Sequence, residues 1–137
     1  MESDILNYKE DVEILMKLLR ENRAVAFSKV NLVFRASANH FDSRIMHQNI
    51  DGISPLLFLV KSNMGKRFGA YLNCKINSRE DWIADVSGLS FLFSIDREES
   101  YRLKAEAHCR LKAAFGGVKG VQIGSGCDLF LTEDCHL

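Results

Sequence analysis

Apolar residues near the start of the chain recur at spacings of three and four. Ile5, Tyr8, Val12, Leu15 and Leu19 make one stripe, which Ile14 and Leu18 widen. That period predicts an amphipathic helix from Asp4 to about Arg20. Ser3 fits its N-cap, and Lys17 and Arg20 near its end suit the helix dipole. The spacing also fits two heptads of a coiled coil, so self-association through residues 1–22 stands beside packing on the domain itself. From Asn31 the pattern shortens. "NLVFRAS" suits a strand. "HFDSRIMHQNIDG" then offers Asp42 or Ser43 as a cap, Ile45, Met46 and Ile50 as a weak helical face, and Asp51-Gly52 as a stop, which predicts a short helix over 43–50.

Every position from Leu56 to Val60 is apolar, so this strand is expected to be covered on both faces. "SNMG" is a four-residue turn in which Gly65 supplies a positive φ, and "KRFGAYLN" returns as the second strand of a hairpin. Residues 74–88, "CKINSREDWIADVSG", read as a long polar connection holding one large apolar residue, Trp82. "LSFLFSI" alternates, with Leu89, Phe91, Phe93 and Ile95 on one face and Ser90, Leu92 and Ser94 on the other, which predicts a half-buried strand. "YRLKAEAHCRLKAAF" favours helix by propensity but sits among strands. Beyond it, glycines at 116, 117, 120, 124 and 126 punctuate short β-like pieces. The pattern as a whole predicts an α+β fold. Two antiparallel sheets packed as a sandwich are flanked by the N-terminal helix and the short second helix. The chain reads as one domain over 1–137, with a leading helix in 1–22 and the sandwich core in 31–137.

Composition narrows the function classes. A chain of 137 residues is the usual length of one domain and buries enough surface to fold without staples. Eighteen basic residues balance eighteen acidic ones, so no electrostatic argument favours nucleic acid or an anionic membrane as the main partner. No apolar run approaches the roughly 20 residues that span a bilayer. The opening "MESDILNYKED" lacks the basic and apolar regions of a secretory signal, so a cytoplasmic location is expected. Four cysteines at irregular spacing (Cys74, Cys109, Cys127 and Cys135) read as free thiols.

The order of these pieces resembles the TLDc family, the domain shared by the oxidation-resistance proteins and by several BTB- or TBC-containing proteins. The resemblance runs through "LVFRASANHFDSRIMHQNIDG", "GISPLLFLVKSNMGKRFGAY", "DWIADVSGLSFLFSID" and "VQIGSGCDLFLTEDC", roughly residues 10 to 137. It implies structural roles for Gly65, Phe68 and Gly69 in the hairpin, and for Gly126 and Asp128 in the glycine-rich close. It also implies a non-enzymatic interaction module serving oxidative-stress resistance, with subunits of the vacuolar-type proton ATPase as partner and no cofactor. The sequence departs from the family where Asn39-His40 replaces a common Asp-Gly, so that turn must differ or be strained. Met46 and Asn49 replace a common Phe and Cys. The family usually continues past the "DxC" close for another loop and a strand or two, so the expectation is either a truncated domain or a divergent short version with an open sheet edge.

Candidate chemistry is sparse. On one strand Cys127 and Cys135 would lie roughly 26 Å apart at 3.3 Å per residue, beyond the ~7 Å Cα reach of a disulfide. With His136 they lack the short spacing of a structural zinc site. Cys127 shares a face with Leu129 and Leu131 and reads as core, and the acids beside Cys135 should blunt that thiol. A thiol-based peroxide scavenger or redox sensor using Cys135 or Cys109 is the alternative reading. No Walker A string or G-x-G-x-x-G occurs, and the four histidines form no H-E-x-x-H pair. No nucleophile, base and orienting acid present themselves together. Asp51, Asp96 and Asp128 adjoin turns or strand ends, where Asp commonly bonds backbone. The better functional candidate is the 74–88 connection, because long loops are commonly functional. There Arg79 and Trp82 make either an interface anchor or a tryptophan packed over a sheet edge.

Overall fold

A computed structural model describes residues 3–24, 29–103, 112–117, 120–124 and 128–131. Helix α1 (Lys9–Glu21) and helix α2 (Ser43–Ile50) accompany eight strands, an α+β arrangement. Strands β1 (Leu56–Lys61) and β2 (Arg67–Leu72) form the expected hairpin, in register from Leu56 opposite Leu72 to Lys61 opposite Arg67. Its turn is closed by the Ser62 N–H donating to the Lys66 carbonyl at 2.8 Å. Gly65 takes φ +76° there, as the turn requires. β2 also pairs with β4 (Phe91–Ser94), and β5 (Glu99–Arg102) completes an antiparallel sheet of order β1-β2-β4-β5. A second antiparallel sheet has the order β3 (Asp81–Ala84), β6 (Lys112–Gly117), β7 (Gly120–Ile123) and β8 (Leu129–Leu131).

The first sheet divides the core in two. Leu56, Phe58, Val60, Phe68, Ala70, Leu72 and Leu92 project to one side, where Met46 and Ile50 of α2 and Val121, Ile123 and Leu129 of the second sheet join them. Leu57, Leu59, Tyr71, Phe91, Phe93 and Ile95 project to the other side and meet α1. The unbroken apolar run in β1 is therefore needed, since both of its faces are covered. β4 keeps the expected alternation, with Phe91 and Phe93 buried and Leu92 and Ser94 half-buried. Leu92 packs against the cluster that holds Val121, Ile123 and Leu129, and Ser90, just before the strand, is buried.

Two expectations are corrected. α1 begins at Lys9, not Asp4, because Asp11 caps the chain from within the first turn: its carboxylate accepts from the Asn7 and Tyr8 N–H groups at 3.0 and 3.3 Å. Ser3 instead closes a local turn, its hydroxyl oxygen accepting from the Ile5 and Leu6 N–H groups. The "NLVFRAS" run forms no strand. Of its apolar residues only Phe34 reaches the core, while Leu32 and Val33 are exposed, so it has no buried face for a ladder to complete. The chain turns instead through a 3-10 segment at Ala36–Ala38. His40, which stands where the family commonly has glycine, and Phe41 follow at φ 55° and 54°, a strained left-handed pair. No helix among the described residues is long and apolar enough to cross a membrane.

Most of the α1 stripe packs within the chain: Leu15, Leu18 and Leu19 are buried, with Val12 and Ile14 packed against the same cluster. Tyr8, near the start of the stripe, stays exposed. Polar contacts fix both ends of the helix. Asn22 donates to Ser100 and accepts from Arg102 of β5. Near the start, the Arg67 guanidinium donates to Asp11 at 2.5 Å and to Asp96 at 2.9 and 3.1 Å. Burial alone would raise the Asp11 carboxyl, but the bonds from Arg67, Asn7 and Tyr8 bring it below 3.8. The Arg67 N–H and then its guanidinium hold Asp96 below 3.8 as well. Carboxylates lowered in the folded state add stability that is full above their unfolded value, about pH 4, and is lost as pH falls through the folded value. Arg67→Met is therefore expected to lower the urea midpoint most at about pH 7, with the gap to the native chain narrowing toward about pH 2.5. An equal gap at both pH values would count against this linkage.

Candidate functional site

The polar face of α2 and the connection into β3 form a polar site among the described residues. Asp42 starts the helix by accepting from the Arg44 N–H at 2.8 Å. The Arg44 guanidinium folds back on the same carboxylate, with Nε at 3.2 Å and Nη2 at 2.8 Å. These bonds hold the Asp42 carboxyl below 3.8. Arg44, His47, Gln48 and Asp51 follow the i, i+3, i+4, i+7 rule and share one face, while Met46 and Ile50 turn into the core. The opposing wall is the chain after β2, anchored by the Gly52 N–H donating to the Ile76 carbonyl at 3.0 Å. Between them lies an open cleft of about 400 Å³ lined by Arg44, His47, Gln48, Asp51 and Ser78.

Asp51 is the hub of this cleft. His47 Nδ1 lies 2.7 Å from its Oδ1, and the Ser78 hydroxyl donates to its Oδ2 at 3.1 Å. The three residue types are those of a hydrolytic triad, but the order differs. A nucleophilic serine must bond the imidazole that takes its proton. Here the carboxylate stands between hydroxyl and imidazole, so Ser78 is oriented without being activated. The pattern suits recognition of polar or charged groups better than acyl transfer. Among the described residues, no three His, Cys, Asp or Glu side chains come together as metal ligands.

The 74–88 connection is not one continuous loop. Its residues 81–84 are β3, an outer strand of the second sheet, with Trp82 opposite Phe115. Ile83 packs against the core, so Trp82, next along the strand, sits half-buried on the other face. Arg79 is exposed in the preceding bend, its N–H donating to the Asn77 side chain at 3.0 Å. The two candidate residues therefore flank the exit from the cleft wall onto a sheet edge. After β3 the chain is tied down by the buried Asp85, which accepts from both Ser87 and Ser90.

Of the family-motif positions, Gly65 serves the turn, and Phe68 packs against the cluster that holds Ala70 and Leu72. Gly69 lies where β2 touches β1 and β4. Asp128 closes on Gly124, whose φ is +83° and whose missing Cβ would lie 2.1 Å from the Asp128 carboxylate. Gly126 and the two candidate redox cysteines, Cys109 and Cys135, lie outside the described residues. Cys74 is buried, and desolvation, aided by the Asp85 charge, pushes its thiol up to about 11, so it is an inert core thiol. Sequence reasoning missed the His47–Asp51 pair, whose signal was an i, i+4 spacing on the short helix.

The TLDc domain model matches residues 1–136, essentially the whole chain. No curated protein matches it.

Proposed function

The chain belongs to the TLDc family, and from that premise we propose that it is a cytoplasmic, non-enzymatic interaction module. Its service is in oxidative-stress resistance, and its partner is the vacuolar-type proton ATPase. In this reading the two sheets act as a sandwich that holds one docking edge, and the mechanism is binding, not bond-making. The observation that carries it is the placement of the half-buried Trp82 on β3, an outer strand of its sheet among the described residues, three residues after the exposed Arg79. A half-buried aromatic next to an arginine is the usual make-up of an interface hot spot. The cleft supports the same reading, because the hydroxyl of Ser78 is directed to a carboxylate and not to a base.

The immobilised full chain should enrich proton-ATPase subunits from a cell lysate above a control surface. Trp82→Ala should weaken capture about 30-fold, as loss of a hot-spot aromatic costs ~2 kcal/mol or more. Arg79→Glu should weaken it further at low salt than at high salt. Failure to enrich any subunit removes this partner; capture unchanged by Trp82→Ala removes this surface.

A further inference from the structure

We propose that Ser78 is a phosphoacceptor whose phosphate is received by the Arg44–His47 face of α2, displacing the Ser78–Asp51 hydrogen bond. Ser78 lies in an exposed bend outside any helix or strand, followed by the exposed Arg79, Glu80 and Asp81. It is the only serine in the chain with acidic residues at both the second and third following positions. A protein kinase with a basic substrate groove reads such a charge pattern. In the transfer, the Ser78 hydroxyl oxygen bonds the γ-phosphorus of ATP as the bond to the β-phosphate breaks. ADP leaves, and the hydroxyl proton passes to the kinase's catalytic base.

The cleft gives the modification a structural consequence. The hydroxyl now donates to Asp51 Oδ2 at 3.1 Å. A phosphate of charge about −1.5 to −2 cannot stay against that carboxylate. One and two turns back along the same face stand His47 and Arg44, with the Gln48 amide beside them, all lining the cleft. Arg44 is exposed and, among the described residues, bonds the nearby Asp42, so its guanidinium is within the same open space to exchange partners. Asp51 is also the C-cap of α2, and the next residue, Gly52, holds Ile76. Repelling Asp51 therefore acts on the anchor of the segment that leads to Arg79 and Trp82. This proposal does not depend on the identity of any docking partner, and its test needs none.

The folded full chain is incubated with an acidic-directed serine kinase and Mg-ATP, and sites are mapped by mass spectrometry. One phosphate on Ser78, lost in Ser78→Ala and retained in Ser78→Thr, is the expected result. Phosphate mapped elsewhere, or incorporation only after denaturation, overturns the acceptor assignment. The second arm follows the phosphoserine by phosphorus NMR, whose second ionisation is ordinarily near about 6. With Arg44 and His47 receiving it, its midpoint in the native sequence should lie about half a unit or more below that in Arg44→Ala. Equal midpoints, or a higher one in the native sequence, overturn the receiving role.

Discussion

Gly69→Ala is expected to destabilise the protein by more than about 3 kcal/mol, enough to remove a large share of an ordinary domain's stability. Gly69 lies in β2, paired with Leu59 of β1 on one side and Phe93 of β4 on the other. A Cβ there would stand 1.8 Å from the Phe58 carbonyl oxygen, 2.9 Å from its carbon and 2.7 Å from Phe93 Cζ. The ring can tilt away. The carbonyl belongs to the backbone of β1, and moving it shifts the hairpin that separates the two halves of the core. Gly65→Ala is the control, because its Cβ would meet nothing within 4 Å. Only its φ of +76° is strained, a cost of about 1–2 kcal/mol. Thermal and urea unfolding of the two variants should therefore differ clearly. A Gly69→Ala chain within about 1 kcal/mol of the native one would show that β1 yields more readily than a paired strand should.

The parts of the fold legible in the sequence are those with local causes. The hairpin rests on an apolar run, a turn glycine and a returning strand within 17 residues, 56 to 72, and its register follows from the turn. The short helix is legible for the same reason, since Asp42 caps it and Asp51 ends it. The start of α1 was not legible, because an acidic residue inside a helical pattern looks the same whether it is on the surface or caps the preceding turn. Nor was β3. It is only four residues long and begins at the end of the polar run 77–81, and it becomes a strand because β6, about thirty residues later, supplies the ladder.

The candidate site divides in the same way. Arg79 and Trp82 stood out by residue type and loop length, and the strand beneath them then gave Trp82 a face. The His47–Asp51 spacing is a local pattern, but Ser78 lies 27 residues from Asp51, and no local pattern predicts that bond. Asp51 was read as a helix stop and is one; its carboxylate also organises the cleft. Periodicity locates faces, whereas sites arise where two such faces meet.

Asp85→Ala should be the second large loss, because this carboxylate fastens three segments while only 1% exposed. Its Oδ1 accepts from the Ser87 N–H and hydroxyl at 3.0 and 2.5 Å. Its Oδ2 accepts from the Ser90 N–H and hydroxyl at 2.8 and 2.6 Å. Ser90 in turn accepts from the Asn73 N–H, and Ser87 from the Asn73 side chain, each at 2.9 Å, so the exit of β3, the entry to β4 and the end of β2 are joined. Burial would raise this carboxyl, but the bonds from Ser87 and Ser90 hold it below 3.8. Truncation strands the buried Ser90 donors at about 1–3 kcal/mol each, so a loss of roughly 3 kcal/mol or more is expected. The folded-state lowering makes that loss full above about pH 4 and smaller as pH falls through the folded value. Asp85→Asn separates charge from shape. Burial is the main cause that lifts Cys74 to about 11, and the Asp85 charge adds to it. In the asparagine variant the thiol should ionise at lower pH than in the native chain, yet stay above an exposed cysteine. A thiol titration unmoved by Asp85→Asn, or an Asp85→Ala chain as stable as the native one near neutral pH, would remove this carboxylate from the centre of the network.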